Sequence, residues 1–266
     1  MLLWRILVRF AGPAFFLAIG PFTAASAALD REQVLRTSEA AVGREISGEY
    51  RFTDTAGQIV TLGSLRGTPV VVSLVYTSCY HTCPMVTEYL AGVVQDARKV
   101  LGKDSFRVLT IGFDAANDSP VRMRQFARER GIDDGGGWRF LSGDPQTVAG
   151  LVRDLGFSFV ASSKGFDHLT QATVLDREGR VYRQVYGDRF PAPALVEPLK
   201  ALVFRTPPDA GLLTSLTNDV RLYCTVFDPS TGRYRFDYSL FVEIFVAVTC
   251  LALVGWMIVR TWRRAG

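Results

Sequence analysis

The chain has 266 residues, and 48% of them are hydrophobic, which is enough for one soluble core together with membrane segments. Its formal net charge of +4 includes five arginines in the two terminal segments, so the sequence between those segments carries −1. A basic surface for nucleic acid is therefore not indicated. Four cysteines are too few for a disulfide-rich scaffold, but two of them form a close pair.

The N-terminus has the features of a secretory signal peptide. Two arginines precede a mostly apolar run over residues 10–22, and Ala-Ser-Ala at residues 25–27 forms a cleavage site. An uncleaved anchor is the alternative, although the run is shorter than the ~20 residues that a bilayer requires. We predict a signal peptide over residues 1–27 and a loosely ordered lead over residues 28–48.

The next segment alternates between strand-like and helix-like patterns. Residues 50–62 have the pattern of a short hairpin, and residues 69–75 are almost continuously apolar and β-branched, as in a strand covered on both faces. Apolar residues then recur at helical spacing over residues 86–101. The later predicted elements are strands at 106–113 and 138–141, helices at 120–131, 145–156 and 195–204, and hairpin strands at 170–175 and 181–186. Parallel crossovers followed by an edge hairpin predict an α/β sandwich of thioredoxin type over residues 49–206.

The C-terminal segment has the length and composition of a membrane span. Residues 240–259 are apolar except for Glu243, Thr249 and two small residues, and ~20 residues at ~1.5 Å each cross the ~30 Å hydrocarbon core. Three arginines in residues 260–266 place that tail in the cytoplasm by the positive-inside rule. A buried globular helix is the alternative. We predict a single-pass protein of the bacterial inner membrane, with residues 207–239 as the connector to a periplasmic domain.

Two cysteines stand four residues apart between the strand at 69–75 and the helix that follows. Pro84 disfavours the α region for its predecessor, so we expect the helix to begin at Pro84 with Cys83 near its cap. Free backbone N–H groups and the helix dipole would then favour the thiolate of Cys83. Cys79 would lie on the preceding loop. The spacing permits two sulfurs around an ion, or a disulfide if the Cα atoms come within ~7 Å.

The donor set favours copper among the metals. Two thiolates from one short loop suit Cu(I), whereas zinc normally needs four ligands and no second cysteine pair is present. Cu(II) would add a nitrogen donor, and the two histidines are His81 and His168. We place His168 on the loop before the strand at 170–175, facing the thiols, and predict it as the third ligand rather than a structural histidine. His81 is expected to be an exposed spacer, although a ligand role stays open.

Other polar and sulfur-containing residues have simpler interpretations. Asp118 is expected to cap a helix, and Asp114 to end a strand close enough to tune the site. Met85 is expected in the core and Cys250 in membrane packing. Cys224 is interpreted as a buried free thiol, with a third soft ligand or a mixed-disulfide partner as the alternatives.

Four ordered motifs resemble those of the SCO/SenC copper chaperones. Residues 79–84 (Cys-Tyr-His-Thr-Cys-Pro) resemble the family's C-x-x-x-C-P motif after an apolar strand, and residues 167–168 (Asp-His) resemble its downstream histidine. Residues 114–120 resemble its D-x-x-x-D-[TS]-P segment, and residues 138–143 its W-x-F-L-[ST]-G stretch. The match covers about residues 48–205. His81 within the loop and a C-terminal membrane helix are departures, since many relatives are anchored at the N-terminus.

The resemblance implies a thioredoxin-like domain that binds Cu(I), Cu(II) or both through Cys79, Cys83 and His168. It also implies a role in assembling the binuclear copper centre of a haem–copper respiratory oxidase. The expected partners are the copper-centre subunit of that oxidase, a periplasmic copper donor or thiol reductant, and the membrane. The protein is then a metallochaperone rather than an enzyme with turnover.

An alternative function uses the same two cysteines. A thiol–disulfide oxidoreductase would employ Cys79 and Cys83 as a redox pair to reduce the copper-ligand cysteines of the oxidase, and it would not need His168. A thiol peroxidase is less favoured, because the sequence places no activating cation beside either cysteine.

Overall fold

The computed structural model describes residues 30–132, 137–163, 165–204, 225–228 and 233–265. The predicted signal peptide lies outside these residues, as does most of the predicted connector. Both therefore stay predictions.

The helices and strands follow the predicted alternation, with several additions. The strands are β1 (Arg51–Asp54), β2 (Ile59–Thr61), β3 (Val70–Val75), β4 (Arg107–Gly112), β5 (Trp138–Ser142), β6 (Phe159–Ser162), β7 (Gly165–His168), β8 (Gln171–Leu175), β9 (Val181–Tyr186), β10 (Thr225–Asp228) and β11 (Arg233–Phe236). The α-helices are α1 (Arg31–Glu39), α2 (Thr82–Leu101), α3 (Pro120–Glu129), α4 (Pro145–Asp154), α5 (Ala192–Phe204) and α6 (Ser239–Ala265). A short 3₁₀ helix spans Leu62–Leu65.

A seven-stranded mixed sheet lies at the centre, in the order β2-β1-β5-β4-β3-β8-β9. Strands β3, β4 and β5 run parallel, and the others pair antiparallel. All six residues of β3 are buried, which explains its continuous apolar run. Helix α2 buries a stripe at helical spacing, formed by Leu90, Val93, Val94, Ala97 and Leu101. The predicted α/β sandwich of thioredoxin type is confirmed.

The pairing of β3 with β8 brings two distant parts of the chain together. The two strands are antiparallel, with Ser73 opposite Ala172. The loop that follows β3 therefore lies beside the segment that precedes β8. This register places the thiol loop next to His168, although nearly 90 residues separate them in the sequence.

The prediction of a loosely ordered lead over residues 28–48 was wrong. Asp30 caps α1 by accepting the N–H of Glu32 at 3.0 Å. Ser38, near the end of α1, is fully buried and donates its hydroxyl to Gln171 of β8 at 2.7 Å. The helix is mostly polar, so its position depends on these tertiary contacts rather than on an apolar stripe.

The hairpin formed by β6 and β7 was also missed. Its two four-residue strands pair with each other outside the main sheet. His168 is consequently the last residue of a strand and not part of a loop. Strands this short, with a glycine and polar residues in them, lack the alternation that would have revealed them.

The C-terminal connector contains a further unpredicted hairpin, β10–β11, which packs against α5. Lys200 of α5 donates to the carbonyl oxygen of Thr225 at 2.9 Å and pairs with Glu197 at 2.8 Å. The hydroxyl of Tyr234 donates to the same glutamate at 3.0 Å. At least this part of the connector is therefore folded onto the domain.

Helix α6 contains the predicted membrane span. Residues Phe241–Arg264 form a helix that is long and apolar enough to cross a membrane, and its most apolar stretch is not buried against the rest of the protein. These properties make α6 a candidate anchor. Its orientation across a membrane remains a prediction.

Candidate functional site

The thiol loop differs in one important respect from the sequence-based prediction. Helix α2 begins at Thr82, two residues before Pro84, so Cys83 lies in the first turn instead of at the cap. Proline is tolerated there because the first four N–H groups of a helix have no partner within the helix. His81 occupies the N-cap position without a side-chain capping bond. The Cys79 sulfur instead accepts the backbone N–H of Cys83 at 3.3 Å.

The two thiols have opposite electrostatic environments. Burial raises the pKa of the Cys79 thiol, but hydrogen bonds from the N–H groups of Cys83 and His81 and from the Tyr76 hydroxyl outweigh burial, and the pKa is lowered overall. Burial raises the pKa of the Cys83 thiol to about 12, and the neighbouring Cys79 adds to this effect. The expectation that Cys83 is the favoured thiolate is therefore wrong. Cys79 has that role.

Iodoacetamide is expected to alkylate Cys79 much faster than Cys83, because the thiolate is the reactive form and Cys83 is only 4% exposed. In a Cys83→Ser chain, the rate at Cys79 should rise with pH through a midpoint below that of an ordinary exposed thiol, since a lowered pKa produces thiolate at lower pH. Peptide-level mass spectrometry measures both rates. Faster reaction at Cys83 would restore the sequence-based expectation that Cys83 is the favoured thiolate. Equal rates at the two cysteines are expected only after unfolding.

His168 is presented as a neutral imidazole with its proton on Nδ1. Its Nδ1 lies 3.1 Å from the carbonyl oxygen of Leu169, and because a carbonyl can only accept, Nδ1 carries the proton. Burial lowers the pKa of His168, against smaller opposing effects of that carbonyl and of Asp167. Nε2 therefore keeps its lone pair at neutral pH. A backbone bond at one nitrogen that leaves the other basic is typical of metal-binding histidines.

An aromatic group surrounds the His168 ring. Tyr76, Phe113 and Phe157 lie with their ring centroids 6.1, 5.5 and 5.3 Å from the imidazole. These contacts orient the ring and cover part of it. Sequence reasoning did not select them as site residues, although Tyr76 belongs to the same short stretch as the two cysteines.

Cys79 and His168 line one cleft of about 740 Å³. Arg31 and Leu35 of the unpredicted helix α1 form part of its wall. Cys83 is buried next to Cys79. Among the residues that the structure describes, no three His, Cys, Asp or Glu side chains are grouped closely enough to hold a metal ion. The structure thus brings the three predicted ligands to one region without assembling them into a coordination sphere.

The donor types nevertheless fit copper. Two sulfurs and one imidazole nitrogen combine the soft ligands that suit Cu(I) with the nitrogen ligand that suits Cu(II). His168 and Cys79 both line the same cleft. These residues would hold the ion.

Asp118 supports the thiol loop instead of capping a helix. Ser119 is the N-cap of α3 and accepts the N–H of Arg122. The Asp118 carboxylate is 2% exposed and accepts three hydrogen bonds. They come from the N–H and the hydroxyl of Thr77, both at 2.7 Å, and from the N–H of Asp114 at 2.9 Å. The carboxylate therefore ties the segment before Cys79 to the loop after β4.

The remaining candidates are not among the residues that line the cleft, or they fall outside the described residues. His81 is exposed, as expected of a spacer, and the Asp114 carboxylate accepts from Asn117 at 2.8 Å. Met85 is partly buried on α2. Cys250 lies on the exposed surface of α6. Cys224 falls outside the described residues, so its role stays a prediction.

The fold and the thiol loop together define the class of protein: a thioredoxin-like domain with a cysteine pair where the central strand passes into its helix. Residues 38–203, more than half of the chain, match the SCO1/SenC family, and the chain belongs to that family. The predicted resemblance is confirmed. The SCO1 protein homolog of Bacillus subtilis (strain 168) is 27% identical over 100 residues, 37% of this chain. The chain spans about half (49%) of the length of that curated relative.

Solved structures of Sco proteins share the fold. BsSco, described as a member of the Sco family of cytochrome c oxidase assembly proteins with a disulfide switch, superposes with a TM-score of 0.54 at 18% identity, covering 62% of this chain and 96% of BsSco. Yeast Sco1 with copper bound gives 0.51 at 18% identity, covering 62% and 92%. At this identity, the similarity establishes the common fold.

Proposed function

We propose that this protein carries copper on Cys79, Cys83 and His168 and delivers it to the copper-centre subunit of a haem–copper respiratory oxidase. The observation that carries the proposal is the approach of a neutral His168 and a thiolate-favouring Cys79 to one cleft, with Cys83 beside them. Membership of the SCO1/SenC family supports it. Yeast Sco1 has been crystallised with copper, and BsSco is described as belonging to a family of oxidase assembly proteins.

Each ligand would contribute differently to uptake of the ion. Cys79 is only partly buried and lines the cleft, so its sulfur would make the first contact with the ion. Burial keeps the Cys83 thiol protonated in the metal-free protein, and a thiol must be deprotonated to bind a metal. Copper binding would therefore release a proton from Cys83. His168 needs no proton loss at Nε2. Delivery would follow by ligand exchange with donors of the recipient that enter the open cleft.

In this proposal, the copper-binding domain lies at the outer face of the inner membrane. Helix α6 would tether the domain with its C-terminus in the cytoplasm, as the arginines after the span favour. A periplasmic copper donor would load the site. Because an oxidising compartment converts close thiols to disulfides, a thiol reductant would be required before loading.

A second function, thiol–disulfide oxidoreductase, is favoured by the asymmetry of the cysteine pair. The accessible Cys79 thiolate would attack a disulfide of the oxidase subunit, forming a mixed disulfide and releasing one thiolate. The buried Cys83 would then displace the second, leaving the substrate reduced and a Cys79–Cys83 disulfide. This reaction does not need His168, so a His168→Ala chain that still supports oxidase assembly would favour it.

Copper stoichiometry tests the carrier function directly. The full-length chain, purified in detergent and fully reduced, is expected to hold one copper per chain, whereas Cys79→Ser and Cys83→Ser should each retain little because each loses one of two thiolates. Cys250→Ser is the matched control, since that thiol lies on α6. Metal analysis after desalting gives the ratio. Equal copper in all four chains would remove the proposed site.

A further inference from the structure

A second cleft, of about 640 Å³, lies between the C-terminal half of α2, the end of α3 and the start of β5. It shares no lining residue with the cleft that contains Cys79 and His168. Its polar and charged lining side chains are Gln95, Arg98, Lys99, Lys103 and Arg130. The described residues that line it thus include four cations and no carboxylate. We call this site the arginine cleft.

The two arginines of the arginine cleft have buried N–H groups that lack acceptors. In the part of the chain that the structure describes, Nε and Nη2 of Arg98 and Nε of Arg130 are buried and form no hydrogen bond. The Arg130 side chain is only 8% exposed, and its Cζ lies 3.5 Å from the centroid of the Phe126 ring. Buried charged donors without acceptors are costly, so an ion or water is expected to serve these groups.

Carboxylates near the arginine cleft balance its positive charge incompletely. Glu129 lies 3.5 Å from Arg130, but the Glu129 side chain is 55% exposed, and exposed ion pairs are weak. Asp96 is paired with Lys99 at 2.7 Å. Within the described ranges, no carboxylate lies at ion-pair distance from Arg98. The cleft therefore keeps a surplus of positive charge.

A further guanidinium group approaches Arg98 beside Gly137. A Cβ added to this glycine would lie 3.0 Å from Nη2 of Arg98 and 3.3 Å from Nη1 of Arg107, so the two cations converge on one point. Burial lowers the pKa of Arg98, and repulsion from Arg107 acts in the same direction, against the attraction of Asp104. Asp104 pairs with Arg107 only at 3.6 Å and is 85% exposed. An anion bound here would relieve the repulsion between the arginines.

We propose that the arginine cleft binds a phosphate group, supplied as inorganic phosphate or as the headgroup phosphate of an anionic lipid. The planar guanidinium group presents paired N–H donors that match two phosphate oxygens, so Arg98 and Arg130 would make the direct contacts. Lys99 and Lys103 would add positive charge at the rim. Copper takes no part in this site, so the proposal does not depend on the proposed function.

Isothermal titration calorimetry of the full-length, metal-free chain in detergent and phosphate-free buffer tests this proposal. The two probes are inorganic phosphate and a short-chain phosphatidylglycerol, and saturable binding of at least one is expected. Arg98→Gln should lower its affinity by at least about tenfold, because charged hydrogen bonds are lost. Lys103→Gln changes an exposed residue and should lower the affinity by a smaller factor. Arg122→Gln is the matched control, since this exposed arginine of α3 does not line the cleft.

The outcomes separate the source of the phosphate from the existence of the site. Binding of inorganic phosphate alone identifies a small-anion site, and binding of phosphatidylglycerol alone identifies a lipid-headgroup site. If neither probe binds saturably, the proposal is overturned, and water or carboxylates of the chain serve these arginines instead. Binding that a folded Arg98→Gln chain retains, or that Arg122→Gln weakens equally, also overturns it. If Arg98→Gln does not fold, the Lys103→Gln result decides, and unchanged affinity in that chain counts against the site.

Discussion

Replacing His168 with alanine is expected to lower Cu(II) affinity by at least about 100-fold, since even residues that only support a ligand contribute 10–100-fold. Cu(I) affinity should change far less, because two thiolates satisfy this soft, low-coordinate ion. The expected difference between the two ions arises from the unprotonated Nε2 of His168, since the Leu169 carbonyl holds the ring proton at Nδ1. Competition titrations with a chelator for each oxidation state measure both affinities.

His81→Ala is the matched control for this experiment. His81 lies between the two cysteines but is exposed, so its removal should leave both affinities nearly unchanged. An equal loss for Cu(I) and Cu(II) in the His168→Ala chain would contradict the proposed division of ligands. A large effect of His81→Ala would instead make His81 the nitrogen donor. Thermal unfolding of the metal-free chains checks that the aromatic group around residue 168 stays folded.

Asp118→Ala is expected to reduce the free energy of unfolding by about 2–4 kcal/mol, because it leaves the three groups that donate to this carboxylate without their acceptor. The loop before Cys79 would lose its attachment to the loop after β4. Urea titration of the detergent-solubilised chain measures the change. Asp114→Ala is the matched control, since it removes only a surface bond with Asn117 and keeps the backbone N–H.

The Asp118 prediction has a defined pH dependence. Burial raises the pKa of Asp118 above its ordinary 3.8, more than the bonds from Thr77 lower it. A carboxyl whose pKa is raised by folding contributes most to stability below the unfolded value, and this contribution falls as the pH rises through the folded value. The alanine chain lacks the contribution. The difference in the free energy of unfolding between the wild-type and Asp118→Ala chains should therefore narrow as the pH increases from 3.8. A difference that widens with pH would contradict a raised pKa at Asp118.

Local sequence patterns were sufficient for most of the fold. The continuous apolar run of β3 marked a strand buried on both faces, and Pro120 and Pro145 marked helix starts that the structure places at the same residues. These signals are local, because strand burial and proline geometry restrict the residues that carry them. The cysteine spacing and the downstream histidine were likewise sufficient to select Cys79, Cys83 and His168 as candidates.

Only the tertiary structure decided how these candidates differ from one another. Sequence reasoning assigned the thiolate to Cys83 from its position before Pro84, but burial of Cys83 and the N–H donors that converge on Cys79 reverse the order. Helix α1 was missed because this mostly polar segment is held by a contact with a distant strand, which no local pattern records. Hairpin β6–β7 was missed because its strands are only four residues long. The sequence by itself was enough to name Cys79, Cys83 and His168 as candidates. The antiparallel pairing of β3 with β8 determined their environment, because burial depends on residues far away in the chain.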